Sequence, residues 1–568
     1  MDNAAGAGPG GAVGLRGSGM TGRARSALPV AGTVLGAAAL ITALTVLARV
    51  TGLGRTVVFA RTVGSTCLNS TYQTVNTVPN ILYEVVAGGA LASLVVPLLA
   101  RAVADRDRAH VDRTASALLT WTTLVLAPLA VLVAVAAGPI ARFLLAGADC
   151  GGAADVGASM LRVFAPQVVL YGVGVVLTGV LQAHRRFGGP ALAPLLSSLV
   201  VIAAYLTYGV MAPNGTDIAS LTTAQELVLS VGTTLGVVAL SLGLLVPVSR
   251  LGLRLRPTLR FPTGVARDVR SLAYAGMAAL AVQQASVAVV LVLGNSAFAT
   301  AVAVFAQAQA VYLLPWAVLA VPVATTVFPR LAERWSAGDR SDYDRQLSAS
   351  AQVVVLVSLG AAAMMVGAAR PLARVIFQDV PGVDTVDALT SALVGMAFGL
   401  IGFGLFALLT RALYAARVTA PTAIASVVGW LSVIGADFAL AALLPVDDRV
   451  LALAIGNSVG MTVLGVVLVA VVVTRIGSTA LSGLPRVTAA AVAAALLAGW
   501  VGWRVEQAID SGGVWSAVGQ GATAAAVSLT VFVAVVALLA RKATTEALST
   551  LRQDAEPGLS GARAHETA

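Results

Sequence analysis

Apolar stretches of twenty or more residues alternate along this chain with short polar segments rich in arginine. A helix rises 1.5 Å per residue, so about 20 apolar residues cross the roughly 30 Å hydrocarbon core of a bilayer. That criterion predicts fourteen spanning helices. They run Val30 to Arg61, Val75 to Ala100, Thr114 to Val135, Val156 to Leu181, Ala191 to Met211, Ala224 to Val248 and Leu272 to Gly294. Then follow Phe298 to Val327, Leu347 to Val366, Ala388 to Tyr414, Ala420 to Leu444, Val450 to Val473, Val487 to Val501 and Ala517 to Leu539. The thirteenth is the shortest. The pattern predicts an all-α polytopic membrane protein.

Polar segments test the count. With the N-terminus inside, the inner segments hold 27 of the 36 Lys and Arg and the outer ones 6, leaving Arg49, Arg55 and Arg162 within spans. This asymmetry follows the positive-inside rule, and one wrong span would have inverted every later loop. It places both termini in the cytoplasm. The net charge of +10 is then topology rather than a nucleic-acid footprint. Composition agrees: 58% hydrophobic and 11% charged, against about 45–50% and about 25% in soluble domains. Soluble enzymes, nucleic-acid-binding modules and disordered scaffolds are excluded. Residues 1–26 are Gly-rich and expected to be disordered, and the apolar stretch behind them is too long for a signal peptide. A polar tail is expected over 541–568.

The chain also repeats itself. VVPLLARAVADRDRAHVDR (Val95 to Arg113) aligns without a gap with VFPRLAERWSAGDRSDYDR (Val327 to Arg345), at an offset of 232. The same offset carries Leu181 to Leu413, Ala183 to Ala415 and Arg185 to Arg417. Six spans separate the copies, so both have the same orientation, which implies parallel repeats about an axis along the membrane normal. The expected organisation is an N-lobe over 27–250, a C-lobe over 251–475 and two further helices over 476–540. The lobes would rock around a central cavity.

Candidate chemistry is sparse. Cys67 and Cys150 are too few and too far apart for a zinc site. Both fall on the outer side, where a disulfide and two free thiols both remain open. No metal motif, nucleophile elbow or phosphate loop occurs, so no catalytic residue and no metal site are assigned. What remains is polar residues at membrane depth, which by default mark a pathway. Arg49 and Arg55 flank Gly52 and Gly54 in span one, where the helix is expected to bend. Counted from Val30, Arg49 lies about 28 Å across, so it lines a cavity or snorkels to the outer face. Span two carries Asn76, Asn80 and Glu84, with Glu84 about 14 Å deep and in need of a partner, for which Arg49 or Arg55 would serve. Gln283 and Gln284 in span seven, and Gln307 and Gln309 in span eight, either line the same cavity or bond between helices. Asp437 in span eleven is a structural donor, a proton carrier or a cation ligand.

The segment ARVTGLGRTVVFARTVGS…TVPNILYEVVAGGALASLVVPLLAR, with LQAHRRFGGPALAP and YAARVTAP, resembles the MurJ (MviN) lipid II flippases. These belong to the multidrug/oligosaccharidyl-lipid/polysaccharide exporter superfamily. The resemblance covers spans one to twelve and extends by helix count to all fourteen. It implies a cationic cavity formed by spans one, two, seven and eight, and a groove for the polyprenyl tail in the last two spans. Arg49 and Arg55 stand at the family's first-helix arginines and would meet the pyrophosphate, which a guanidinium suits. Four family charges are absent, with Ser70, Tyr83, Gly88 and Ala310 at those positions. The function implied is movement of undecaprenyl-pyrophosphoryl-disaccharide-pentapeptide from inner to outer leaflet for cell-wall synthesis, by alternating access and without covalent chemistry. No cofactor is expected; Na+, H+ or the membrane potential would drive transport, with Asp437 the coupling candidate. Membrane lipids and cell-wall synthesis proteins are the other expected partners. Alternatives are a flippase for another polyprenyl-linked glycan, a cation-coupled exporter, and a non-transporting scaffold of the cell-wall machinery.

Overall fold

The computed structural model describes residues 28–64, 66–85, 105–148, 150–212, 218–259, 265–377, 385–509 and 512–541, with single positions between them. Over 265–277 and most of 28–46 it describes the backbone path alone. The two expected tails, Gly88 and most of 86–100 lie outside the described residues.

Every long element described is a helix, and no strand occurs among the described residues. In order these are α1 (Leu28–Val63), α2 (Cys67–Tyr83), α3 (Arg108–Val135), α4 (Ala137–Leu144), α5 (Ala153–Phe164), α6 (Gln167–Ala183) and α7 (Gly188–Met211). Next come α8 (Thr223–Ser241), α9 (Leu245–Ser249), α10 (Val265–Asn295), α11 (Ala301–Pro315), α12 (Val321–Ser336), α13 (Arg340–Gly367) and α14 (Ala369–Phe377). The rest are α15 (Thr385–Ala397), α16 (Leu400–Ala415), α17 (Thr419–Leu443), α18 (Arg449–Arg475), α19 (Leu484–Ala508) and α20 (Val514–Leu539).

Eleven stretches among the described residues are long and apolar enough to cross a bilayer, and the α15–α16 pair, bent by 45°, adds a twelfth. The first expected span falls on α1, and α2 carries the start of the second. Several expectations need correction. α1 is helical throughout Leu28–Val63, and a Cβ added at Gly52 or Gly54 would meet nothing within 4 Å. The eighth span continues through a π turn at Trp316–Ala320 into α12. The thirteenth, expected to be the shortest, is a 25-residue helix. The fourth is interrupted between α5 and α6 at Pro166, which has no N–H to donate.

The internal repeat is written into the backbone. α3 and α13 are both 28 residues long and start 232 positions apart. Asp107 caps α3 at φ −79°, ψ 83°, and its side chain accepts from the His110 N–H. Asp339 caps α13 at φ −79°, ψ 82°, and accepts from the Asp342 N–H. Such a cap satisfies one of the orphan N–H groups of the first turn. Helix ends match too. Arg185 and Arg417 both take the left-handed conformation, at φ 57° and 60°. The next N–H reaches back to close the turn, Arg186 to Leu181 O and Val418 to Leu413 O, both at 2.8 Å. Chance similarity between arginine-rich loops would not reproduce these caps in register.

This helix pair differs in how deeply it is packed. Over its most apolar stretch α13 is 72% buried, whereas α3 is 28% buried. The halves meet at the Val63 end of α1. Arg61 donates to Val375 O at 2.6 Å, and Asn295 donates to Thr74 Oγ1 at 2.9 Å and Leu144 O at 3.0 Å. At the same end Cys67, heading α2, is disulfide-bonded to Cys150, with the Cα atoms 6.0 Å apart. This resolves the alternatives left open by the sequence.

Candidate functional site

A string of cavities runs between α1, α2, α7, α8 and α11. The largest of them, about 550 Å³, is lined by Arg49, Gly52 and Arg55 of α1, Ser197 and Ser198 of α7, and Ala310 of α11. A second, about 200 Å³, shares Arg55 and Ser197 with it and adds Gln73, Asn76 and Asn80 of α2, with Tyr171 and Tyr205. Gln73 also lines a third, about 110 Å³, with Gln283, Gln309, Trp430 and Asn457. Tyr171 also lines a fourth, about 280 Å³, with Tyr83 and Gln182.

α1 sets the position of the arginines. Its 36 residues make about 54 Å of helix, longer than the roughly 30 Å apolar core. Counting from Val30 therefore overstates the travel of Arg49. Counted back from Val63, Arg55 lies about 12 Å and Arg49 about 21 Å along the axis. Both sit at membrane depth, and both line the cavity. Neither makes a hydrogen bond or ion pair among the described residues. The expected pair with Glu84 is not formed: Glu84 is exposed, in the π turn after α2, and lines none of these cavities.

The four glutamines divide. Gln283 and Gln309 face the third cavity. Gln284 is buried, and Gln307 packs on α1, donating to Thr56 O at 3.4 Å. Asp437 is fully buried and neither carboxylate oxygen has a hydrogen-bond partner. It presses on Gly456 of α18, where a Cβ would collide with the carboxylate. Val433, one turn earlier on α17, lines the third cavity, so the acid lies just beyond its wall. Gln73, Tyr171, Ser197, Tyr205 and Asn457 were missed from sequence. Gln73 was legible: with Asn76, Thr77 and Asn80 it forms a polar stripe at i, i+3, i+4 and i+7.

Arginines with no hydrogen bond or ion pair among the described residues, in a polar cavity between repeated helical halves, suit an anionic cargo. Fold and site together define a multi-pass membrane transporter rather than an enzyme. A solved lipid II flippase MurJ in its inward closed conformation superposes with TM-score 0.69 at 17% identity, covering 89% of this chain and 99% of that one. An inward-facing MATE transporter of the MOP superfamily gives 0.61 at 16% identity, over 78% and 96%. The chain belongs to the MurJ family, whose model, described as lipid II flippase MurJ, matches residues 59–520. The lipid II flippase MurJ of Burkholderia cenocepacia is 27% identical over 386 residues, 66% of this chain and 72% of that protein. The probable lipid II flippase MurJ of Rhizobium tropici is 25% identical over 364 residues, 63% of this chain and 65% of that protein.

Proposed function

We propose that this protein moves lipid II from the inner to the outer leaflet of the bacterial plasma membrane. The observation that carries this reading is Arg49 and Arg55 lining one cavity with no hydrogen bond or ion pair among the described residues. A diphosphate supplies the acceptors that two guanidiniums at membrane depth lack. Sugars then meet Asn76, Asn80, Gln73 and Ser197, and the undecaprenyl tail follows α19 and α20. The lobes over 27–250 and 251–475 rock as units, both termini stay in the cytoplasm, and the halves part at the Val63 end to release cargo outside. Asp437 couples this motion to Na+ or H+, as a buried acid whose oxygens lack hydrogen-bond partners. The membrane potential adds about 2.3 kcal/mol per charge per 100 mV. Cell-wall synthesis proteins receive the product.

One observation favours a second reading. Ala310 and Tyr83 line the cavities at positions where the family resemblance implies cations. A less cationic site suits another polyprenyl-linked glycan. The test is rescue of a flippase-depleted bacterium, read as outer-leaflet lipid II. Viable cells with labelled lipid II outside support the first reading. No rescue at normal membrane abundance leaves the second.

A further inference from the structure

On leaving the first half, the chain climbs α3 as an extended segment. Leu251, Leu253 and Leu255 pack inward, and the N–H groups of Arg254, Arg256 and Thr258 bond to Asp112 Oδ1 at 3.1 Å, Ser116 Oγ at 3.0 Å and Thr120 Oγ1 at 3.1 Å. Trp121 Nε1 closes the ladder on Leu259 O at 3.0 Å. The extended segment forms one wall of a lateral groove of about 810 Å³, lined by Thr120, Thr123, Leu124, Pro128 and Val131 of α3 and by Arg256.

The repeat shows what such a face does when covered. At the offset of 232, Asp344, Ser348 and Gln352 of α13 hold the chain leaving the second half, at Thr479 and Ser482. From there the chain turns into α19, and α19 and α20 cover α13. That seat is made of small residues: a Cβ at Gly360 would meet the Phe532 ring, and one at Gly367 would meet Gly502 and Ser528. Close helix approach in a membrane needs such residues. On α3 the corresponding positions are Pro128 and Val135, too bulky for a helix to settle at that distance.

We propose that the α3 groove is a site for an anionic phospholipid, with its phosphate on Arg256 and an acyl chain along Leu124 to Val131. The sixteen residues from Ser116 to Val131 rise about 22 Å, more than half of the roughly 30 Å core, so the groove is one leaflet deep. By the orientation proposed above that is the inner leaflet. The charge at its mouth fits a lipid phosphate; in the second half Ser348, the counterpart of Ser116, holds the uncharged Ser482 instead.

The full-length protein would be titrated with phosphatidylglycerol or phosphatidylcholine and read by native mass spectrometry. Arg256→Ala should weaken phosphatidylglycerol retention about fivefold, equivalent to about 1 kcal/mol per basic residue, and leave phosphatidylcholine unchanged. Leu124→Trp, which fills the groove, should weaken both. A photo-crosslinker at position 124 should capture phospholipid in cells. Equal retention of the two lipids, indifference to Arg256→Ala, or capture of a protein helix at position 124 would overturn the proposal.

Discussion

Single residues carry the cargo chemistry. If Arg55 bound only its own fold, Arg55→Ala would lower the amount of protein in the membrane. Facing a cavity with no hydrogen bond or ion pair among the described residues, it should instead leave abundance intact and cut transport about ten- to hundredfold, the worth of hydrogen bonds to a charged group. Arg55→Lys keeps the charge but loses the planar fork, so it should recover part of the activity. Outer-leaflet lipid II at matched expression checks both. Strain gives a second residue-level prediction. Arg417 sits at φ 60°, a conformation costing a side chain about 1–2 kcal/mol. Arg417→Gly should therefore raise the melting temperature in detergent. The arginines and Asn76–Asn80 stripe were readable because depth and helical period are properties of one helix. Their partners were not. Whether Glu84 meets Arg49 depends on how two helices rotate against each other, which neither periodicity nor hydropathy encodes.

At the scale of elements, glycine decides how closely helices approach. Gly402 of α16 lies so near α18 that a Cβ would strike the Met461 carbonyl. Gly402→Ala should push the helices apart at about 1–3 kcal/mol. Gly435→Ala on α17 faces open space and should be neutral or slightly stabilising. Thermal melting of the two variants side by side checks the contrast. Hydropathy found the helices but misjudged their ends, because polar first turns such as 108–113 are helical yet not apolar. It also passed over the extended segment 253–259. There the alternation Leu253-Arg254-Leu255-Arg256 has a period of two, legible as extended chain but hidden from any search for long apolar runs.

At the scale of the whole molecule, the halves join at one end through Arg61, Asn295 and the packing of Leu291 and Val302 in the cluster around Phe59. Asn295 makes two hydrogen bonds across the halves, at 2.9 and 3.0 Å. At about 1 kcal/mol each, Asn295→Ala should shift the closed-to-open ratio about thirtyfold. A cysteine in place of Gln73, which lines the central cavities, should then react faster with an impermeant thiol reagent added outside. An unchanged rate would show that the closing force lies elsewhere.

The disulfide at that end has a consequence for how the chain is made. Cys67 and Cys150 are 83 residues apart, and between them the chain must cross the bilayer an even number of times for both thiols to meet the same oxidant. The bond forms only after the intervening helices have been threaded correctly. A chain that skips one insertion leaves both thiols on opposite faces and stays reduced. Oxidised protein on a non-reducing gel is thus a record of successful early biogenesis, available without any engineered tag.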